Sequence, residues 1–422
     1  MLKEQLLFSR ISIMVVSYEM KTGFNSSIVQ KNNRLLVLRE LLKHKDITRV
    51  QLAQKLGLQK STITNIINEF VSMGIVVPPS EENVRKRGEY IKLDLSDMFF
   101  LSLGITRRDY QLAVFTLDGQ VKETYTTSFS GTLQSAVDSF KNRAKELQSK
   151  YGKKNVIGVI LAVPGPFMID RATGEETFAV SHFGEFNRIN IREELETALE
   201  QKILMVHDAK LSAYAEWINA PEAKTDPGLS LIVIRSRGYG VGGGMVVNGR
   251  IVEGQLGVAG EIGYMGMNYN DHKGDKGDFE ACAGTDSAVD YMRERLFEFP
   301  DTELNENSSY GDILRAYSKG DELATWAINK MAWMLAYGIS GLAYIINPDC
   351  IVLGPDYPKD ERFINEVKKN IEKRTHPLIT QKMHLRISTL QQDSFVLGGY
   401  YYLIDKLFDN GEILEFIKST KN

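Results

Sequence analysis

Cysteine is nearly missing from this chain: Cys282 and Cys350 are the only two in 422 residues. Two thiols cannot staple a fold or supply a four-cysteine zinc site, and their scarcity fits a reducing compartment. No run of about 18 apolar residues occurs, which excludes a simple membrane span. A clean secretory signal is missing too. Leu6-Leu7-Phe8 and the apolar stretch Ile11 to Val16 are interrupted by Arg10 and serines, with no small-residue cleavage site behind them. Residues 1–30 therefore read as a tail, and the expected location is cytoplasmic. What is present, 43% hydrophobic and 25% charged residues, is ordinary for a globular chain of two or three domains.

A large charge of either sign is also lacking. The formal net charge is −3, which argues against nucleic-acid binding if it is evenly spread. It is not. Between Lys31 and Leu95 twelve Lys and Arg face seven Asp and Glu, so this segment is net +5 and the remainder −8. Its pattern is that of a winged helix-turn-helix over 31–95. Leu35, Leu38 and Leu42 recur at helical spacing up to about Lys43. Thr48 has N-cap chemistry for a second helix, which Gly57 ends. A third helix is expected from about Lys60 to Met73, with Ile63, Ile66, Ile67 and Phe70 facing a core. Its other face carries Lys60, Ser61, Thr62, Thr64 and Asn65, side chains suited to base edges and phosphates. Ile75-Val76-Val77 and Tyr90 to Leu93 read as two short strands, a wing whose tip Arg85-Lys86-Arg87 can track phosphates. Arg49 adds a cation at the start of the second helix. The bland alternative is a three-helix core with a solvated basic loop.

From Phe99 the pattern changes to alternating strands and helices, the mark of an α/β body. A strand, a hairpin turning at Asp118-Gly119, a helix and further strands lead to His207-Asp208. The pattern then restarts near Leu229, with a hairpin turn at Asn248-Gly249. The repetition suggests a duplication with a ligand cleft between halves. Asp208 sits at a strand's carboxyl end, where it can accept sugar hydroxyls or simply cap the next helix. Glu261 lies in the tight loop Gly260-Glu261-Ile262-Gly263, and Glu280 at a loop-to-helix junction. Several carboxylates in a cleft suit a polyhydroxylated ligand. The glycine-rich Gly238 to Gly244 is weak evidence for phosphates, because it also fits a bulged turn.

These motifs resemble the ROK family (repressor, open reading frame, kinase), and its transcription-regulator branch in particular. The resemblance runs from about Gln30 to the C-terminus. In the head it rests on Thr48 to Ala53, Gly57-Leu58, Ser61 to Thr64, Gly74-Ile75-Val76 and Arg87-Gly88. In the body it rests on Val163-Pro164-Gly165-Pro166, His207-Asp208-Ala209, Asn248-Gly249-Arg250, Gly260 to Gly263, Ile346-Asn347-Pro348-Asp349 and Leu397-Gly398-Gly399. It implies an actin-like (ribonuclease H-like), duplicated two-lobed sugar-binding domain over 96–422. The lobes are expected at about 96–213 and 228–392, with a C-terminal helix returning to the first lobe. It also implies assembly as a homodimer or tetramer. Carried over residue by residue, the ligand contacts are Gly165, His207, Asp208, Glu261, Tyr264 and Glu280.

The departures from the family pattern are informative. ROK kinases cradle ATP phosphates with Asp-x-Gly-Gly-Thr, where this chain has Ser102 at the aspartate and only Gly104-Ile105-Thr106 after it. The late Gly-Gly reads Gly354-Pro355. The partner of the family's catalytic Asp is an Asn, here His207. The family zinc site, one His and three Cys, reads Tyr264, Asp271, Lys273 and Asp278, and a lysine at a ligand position repels a cation. The sequence thus predicts no catalysis, no metal and no cofactor. It predicts a regulator, expected to be a repressor, whose partners are double-stranded operator DNA and a small carbohydrate, with no membrane. The alternatives are a sugar kinase retaining a DNA-binding head and a constitutive DNA-binding protein with a dead pocket.

Overall fold

The helical periodicity of the head reappears in the computed structural model, which describes the chain apart from residues 1–25, 45–46, 78–89, 96, 107–108, 130–131, 166, 171–172, 174–175, 179–187, 222, 224–225, 227, 239, 268–277, 391–393 and 422. Its first three helices are α1 (Ser26–Lys43), α2 (Arg49–Leu56) and α3 (Lys60–Ser72). The first begins earlier than its leucines indicate. Residues 27–30 are mostly exposed, so they carry no apolar periodicity to announce a helix. Thr48 caps α2 through a capping box: its hydroxyl accepts from the Gln51 N–H at 3.3 Å, and its own N–H donates to the Gln51 side chain at 2.9 Å. Gly57 then turns the chain at φ +64, which strains any residue with a Cβ. Leu38, Leu52, Ile63, Ile67 and Phe70 are buried to 1% exposure or less and form the head's core. Burying one such side chain contributes about 2–3 kcal/mol.

The two expected wing strands are reduced to single bridges, Val76 with Leu93 and Tyr90 with Thr48. Backbone bonds still join the two segments: the Val77 N–H donates to the Lys92 carbonyl at 2.9 Å and the Asp94 N–H to the Ile75 carbonyl at 2.7 Å.

The body contains two mixed five-stranded sheets. The first is built from β1 (Phe99–Ile105), β2 (Asp109–Thr116), β3 (Val121–Ser128), β4 (Val156–Val163) and, after the short strands β5 (Phe167–Ile169) and β6 (Glu176–Phe178), β7 (Ile203–His207). Its order is β3-β2-β1-β4-β7, with β1 antiparallel to β2 and parallel to β4. The second sheet uses β8 (Leu231–Arg237), β9 (Gly240–Val247), β10 (Arg250–Ile251), β11 (Cys350–Leu353) and β12 (His384–Ile387), in the order β10-β9-β8-β11-β12. Here too a hairpin pair is antiparallel and the next neighbour, β11, is parallel. This is the repeated strand grammar of the actin-like fold. β5 and β6 form a separate small hairpin that periodicity does not reveal, since three residues are too few to show alternation.

Contacts divide the chain into two units. One comprises residues 1–163, 188–206 and 399–422, and the other residues 164–187 and 207–398. The first holds the head, the first sheet and the helix α4 (Leu133–Tyr151). Within it, Phe115 stacks on Tyr400 with ring centroids 4.6 Å apart, and the Tyr400 hydroxyl donates to the Leu117 carbonyl at 3.0 Å. The second unit centres on the 24-residue helix Glu322–Ile345, whose Ala324, Ala327, Ile328, Met331, Leu335 and Ile339 are fully buried.

Candidate functional site

The glycines of β9 prepare the site. A Cβ on Gly244 would lie 2.6 Å from the Cβ of Ala213, and one on Gly243 would lie 2.6 Å from the carbonyl oxygen of Gly260. The run that resembles a phosphate loop is a strand whose bare backbone admits two neighbours. These are the helix after β7 and the loop bearing Glu261.

That helix, Asp208–Asn219, starts immediately after His207. His207 is its N-cap and makes no side-chain cap bond, while Asp208 is the first helical residue. The capping explanation of Asp208 therefore does not hold. Its carboxylate stands in the first turn, where the helix dipole favours an anion.

His207 is 6% exposed and lies between two acids. Its Nε2 is 3.2 Å from Asp208 Oδ1 and its Nδ1 is 3.1 Å from Glu261 Oε1. The second approach is at ion-pair distance but lacks hydrogen-bond alignment. A neutral imidazole carries one proton and can donate to only one of the two carboxylates. Gly165 packs against the same ring, and a Cβ there would overlap the imidazole. Glu280 enters from the short helix Phe279–Ala283. Its Oε2 accepts from the Val241 N–H at 3.4 Å and would be 3.0 Å from a Cβ on Gly263.

Burial raises the Glu261 pKa above the ordinary carboxylate range. His207 and Lys210 pull it back, and Asp208 and Glu280 push it further up. Gly165, His207, Asp208, Glu261 and Glu280 thus come together within one unit, on four separate chain segments. Tyr264 ends the 3₁₀ turn Ile262–Tyr264 beside them and is 42% exposed. Such a set of carboxylates around an imidazole can accept several hydroxyl donors from a polyol.

Sequence reading overlooked Lys210. Residues 209–217 are all buried, so a lysine among them needs an internal partner. A cation in a helix stretch that is mostly alanine and other apolar residues was the available signal, and Glu216 in the same stretch weakens it.

In the head, Arg49, Lys60, Ser61 and Asn65 are exposed, and Thr62 and Thr64 are half-buried. The Thr64 hydroxyl donates to the Lys60 carbonyl at 2.9 Å. Arg85, Lys86 and Arg87 lie outside the described residues, as do Asp271 and Lys273 of the zinc-like pattern. Among the described residues no cluster of His, Cys, Asp and Glu is arranged to hold a metal ion, and no helix is long and apolar enough to cross a membrane.

The ROK family profile matches residues 101–406, and a winged helix-turn-helix DNA-binding profile matches residues 31–77. The xylose repressor of Bacillus subtilis is 22% identical over 91% of this chain and 98% of its own length. A glucokinase of Halalkalibacterium halodurans is 26% identical over 72% of this chain and 94% of its own. A solved ROK family transcriptional regulator, a homolog of the E. coli MLC protein, superposes with a TM-score of 0.75 at 20% identity, covering 92% of this chain and 99% of its own.

Proposed function

The chain belongs to the ROK family, and from that premise we propose that it is a cytoplasmic, sugar-responsive repressor that binds operator DNA as a dimer through its winged helix. One observation carries the reading: a basic helix-turn-helix and a buried cluster of carboxylates around the His207 imidazole occur in the same chain. The xylose repressor match runs through both parts, whereas the glucokinase match covers only about the length of the body. The effector is a small carbohydrate, and D-xylose is the first to test because of the name of that relative.

At the start of the helix Ser394–Asn410, Gly398 packs on Leu211. Within the unit that holds the head, Arg39 of α1 pairs with Asp409 at 3.0 Å and lies 4.8 Å from the Phe408 ring centre, and Lys31 donates to the Asn410 carbonyl at 3.3 Å. A ligand biases such an element only by binding its two states with different affinity.

The glucokinase match favours a second reading, a sugar kinase with a DNA-binding head. Against it we weigh the residues that stand at the phosphate positions implied by the resemblance. Ser102 is 1% exposed inside β1. The Thr106 hydroxyl is tied to the backbone of Asp109, donating at 3.1 Å and accepting at 3.1 Å. Gly354 is packed against the side chain of Arg235. Calorimetric titration with ATP and magnesium is expected to show no tight binding, and micromolar binding would favour the kinase.

The decisive experiment selects an operator from random duplexes and measures its affinity with and without sugars. Saturating effector is expected to weaken binding about tenfold or more, a change of about 1.4 kcal/mol. Equal affinity across a panel of mono- and disaccharides, sugar phosphates and amino sugars sinks the switch. Replacing Arg85, Lys86 and Arg87 by alanine is expected to flatten the salt dependence of DNA binding by a log–log slope of roughly 2–3. An unchanged slope removes the wing from the contacts.

A further inference from the structure

Lys210 is 3% exposed, two residues beyond Asp208 on the helix Asp208–Asn219. An ammonium in such surroundings must direct its donors to acceptors inside the protein. Its Nζ donates to the carbonyl of Gly257 in a short hydrogen bond. Gly257 lies midway along the segment 252–261 that ends at Glu261. This loop has a permissive backbone: Gly254, Gly257 and Gly260 take φ of +73, +77 and +97. Its anchors include the Val252 N–H donating to Met245 O at 2.9 Å, the Ile169 N–H donating to Leu256 O at 3.0 Å and the Ala259 N–H donating to Glu253 O at 3.2 Å. The Lys210 bond alone among these ties the loop to the helix that bears Asp208.

We infer that Lys210 is a positioning residue of the effector site, clamping the 252–261 loop to the Asp208 helix and so setting Glu261 against His207 and Asp208. The ligand part of this inference rests on the proposed sugar-binding reading, and the loop part does not.

The charges facing Glu261 come from three elements: His207 at the end of β7, Asp208 and Lys210 on the helix, and Glu280 on Phe279–Ala283. Burial and the two acids favour protonated Glu261, while His207 and Lys210 favour the carboxylate. Hydroxyl donors are accepted best by the ionised form, so affinity falls as pH drops through the Glu261 pKa. Removing the lysine raises that pKa and moves the acid limb of binding to higher pH.

The test uses full-length Lys210→Met and Lys210→Arg with two readouts. Amide exchange in peptides covering 252–261 is measured without sugar, and D-xylose affinity is measured across the pH range in which the protein stays folded, so that the acid limb of binding is recorded for each protein. Lys210→Met is expected to speed exchange in that loop about tenfold with the head unchanged. It should also weaken D-xylose binding about tenfold or more on the acid limb and move that limb to higher pH. Lys210→Arg, which keeps charge and donors, should return both readouts most of the way. Unchanged loop exchange together with a wild-type acid limb in Lys210→Met overturns the inference, and so does a Lys210→Arg variant as impaired as Lys210→Met. If Lys210→Met does not fold, Lys210→Gln takes its place in both measurements, with the same results expected and the same results overturning the inference. Wild-type protein that binds no D-xylose counts against xylose as the effector, and the exchange arm then decides the positioning role alone.

Discussion

Replacing Asp208 by Asn together with Glu261 by Gln is expected to lower effector affinity at least about a hundredfold and to leave the operator complex insensitive to sugar. A hydrogen bond to a charged group contributes roughly 1.5–3 kcal/mol net, so losing two costs about 3–6 kcal/mol before coupling. The losses will not add simply, because His207 lies 3.2 Å from one carboxylate and 3.1 Å from the other. Calorimetry on the two single variants and the double measures that coupling.

The same substitution has an opposite effect on stability. Burial raises the Glu261 pKa in the folded protein, so between the unfolded and the folded pKa the native state holds a proton that the unfolded chain has released. Stability from this group is therefore greatest below the unfolded carboxylate pKa and falls as pH rises through the folded value. Glu261→Gln should remove that decline, so the pH dependence of the melting temperature flattens on its alkaline side while ligand binding weakens, the usual exchange between a strained site and a stable fold. A double variant that responds to sugar as the wild type does would place the effector elsewhere.

Gly398→Ala is expected to be the most destabilising single methyl group in the body. The added Cβ would overlap the Leu211 carbonyl oxygen, lie 2.6 Å from its carbonyl carbon and 3.2 Å from the Ala215 nitrogen. All are backbone atoms, so no rotamer change relieves the contact and two helices must part. Overpacking usually costs about 1–3 kcal/mol, and this clash should cost at least about 3 kcal/mol, a fall in melting temperature of roughly 6–12 °C for a unit of this size. Leu211 follows Asp208 and Lys210 by less than one turn, so displacement of its helix should also weaken effector binding. A melting temperature within a degree or two of wild type would show that the helices have room to spare.

Much of this architecture was legible in the chain. Thr48, Gly57 and the Ile63–Phe70 spacing mark the head's helices because caps, turns and amphipathic faces are local. The hairpin turns at Asp118-Gly119 and Asn248-Gly249 mark both halves of the body for the same reason. The glycines of β9 were harder. Their bare backbone serves a neighbour that arrives from elsewhere in the chain, so neither composition nor spacing separates a phosphate loop from a close-packed strand.

The sequence by itself determined the element types, the basic head on an acidic body, and which acids stand at chain turns. Only the tertiary structure decided that His207 is flanked by Asp208 and Glu261, that Glu280 shares their field, and that Lys210 is buried against the Gly257 loop. Those partners are, His207 and Asp208 apart, tens of residues distant in sequence. Their proximity follows from sheet order and helix packing, which are summed over many contacts, and so does the low-dielectric burial that makes their charges matter.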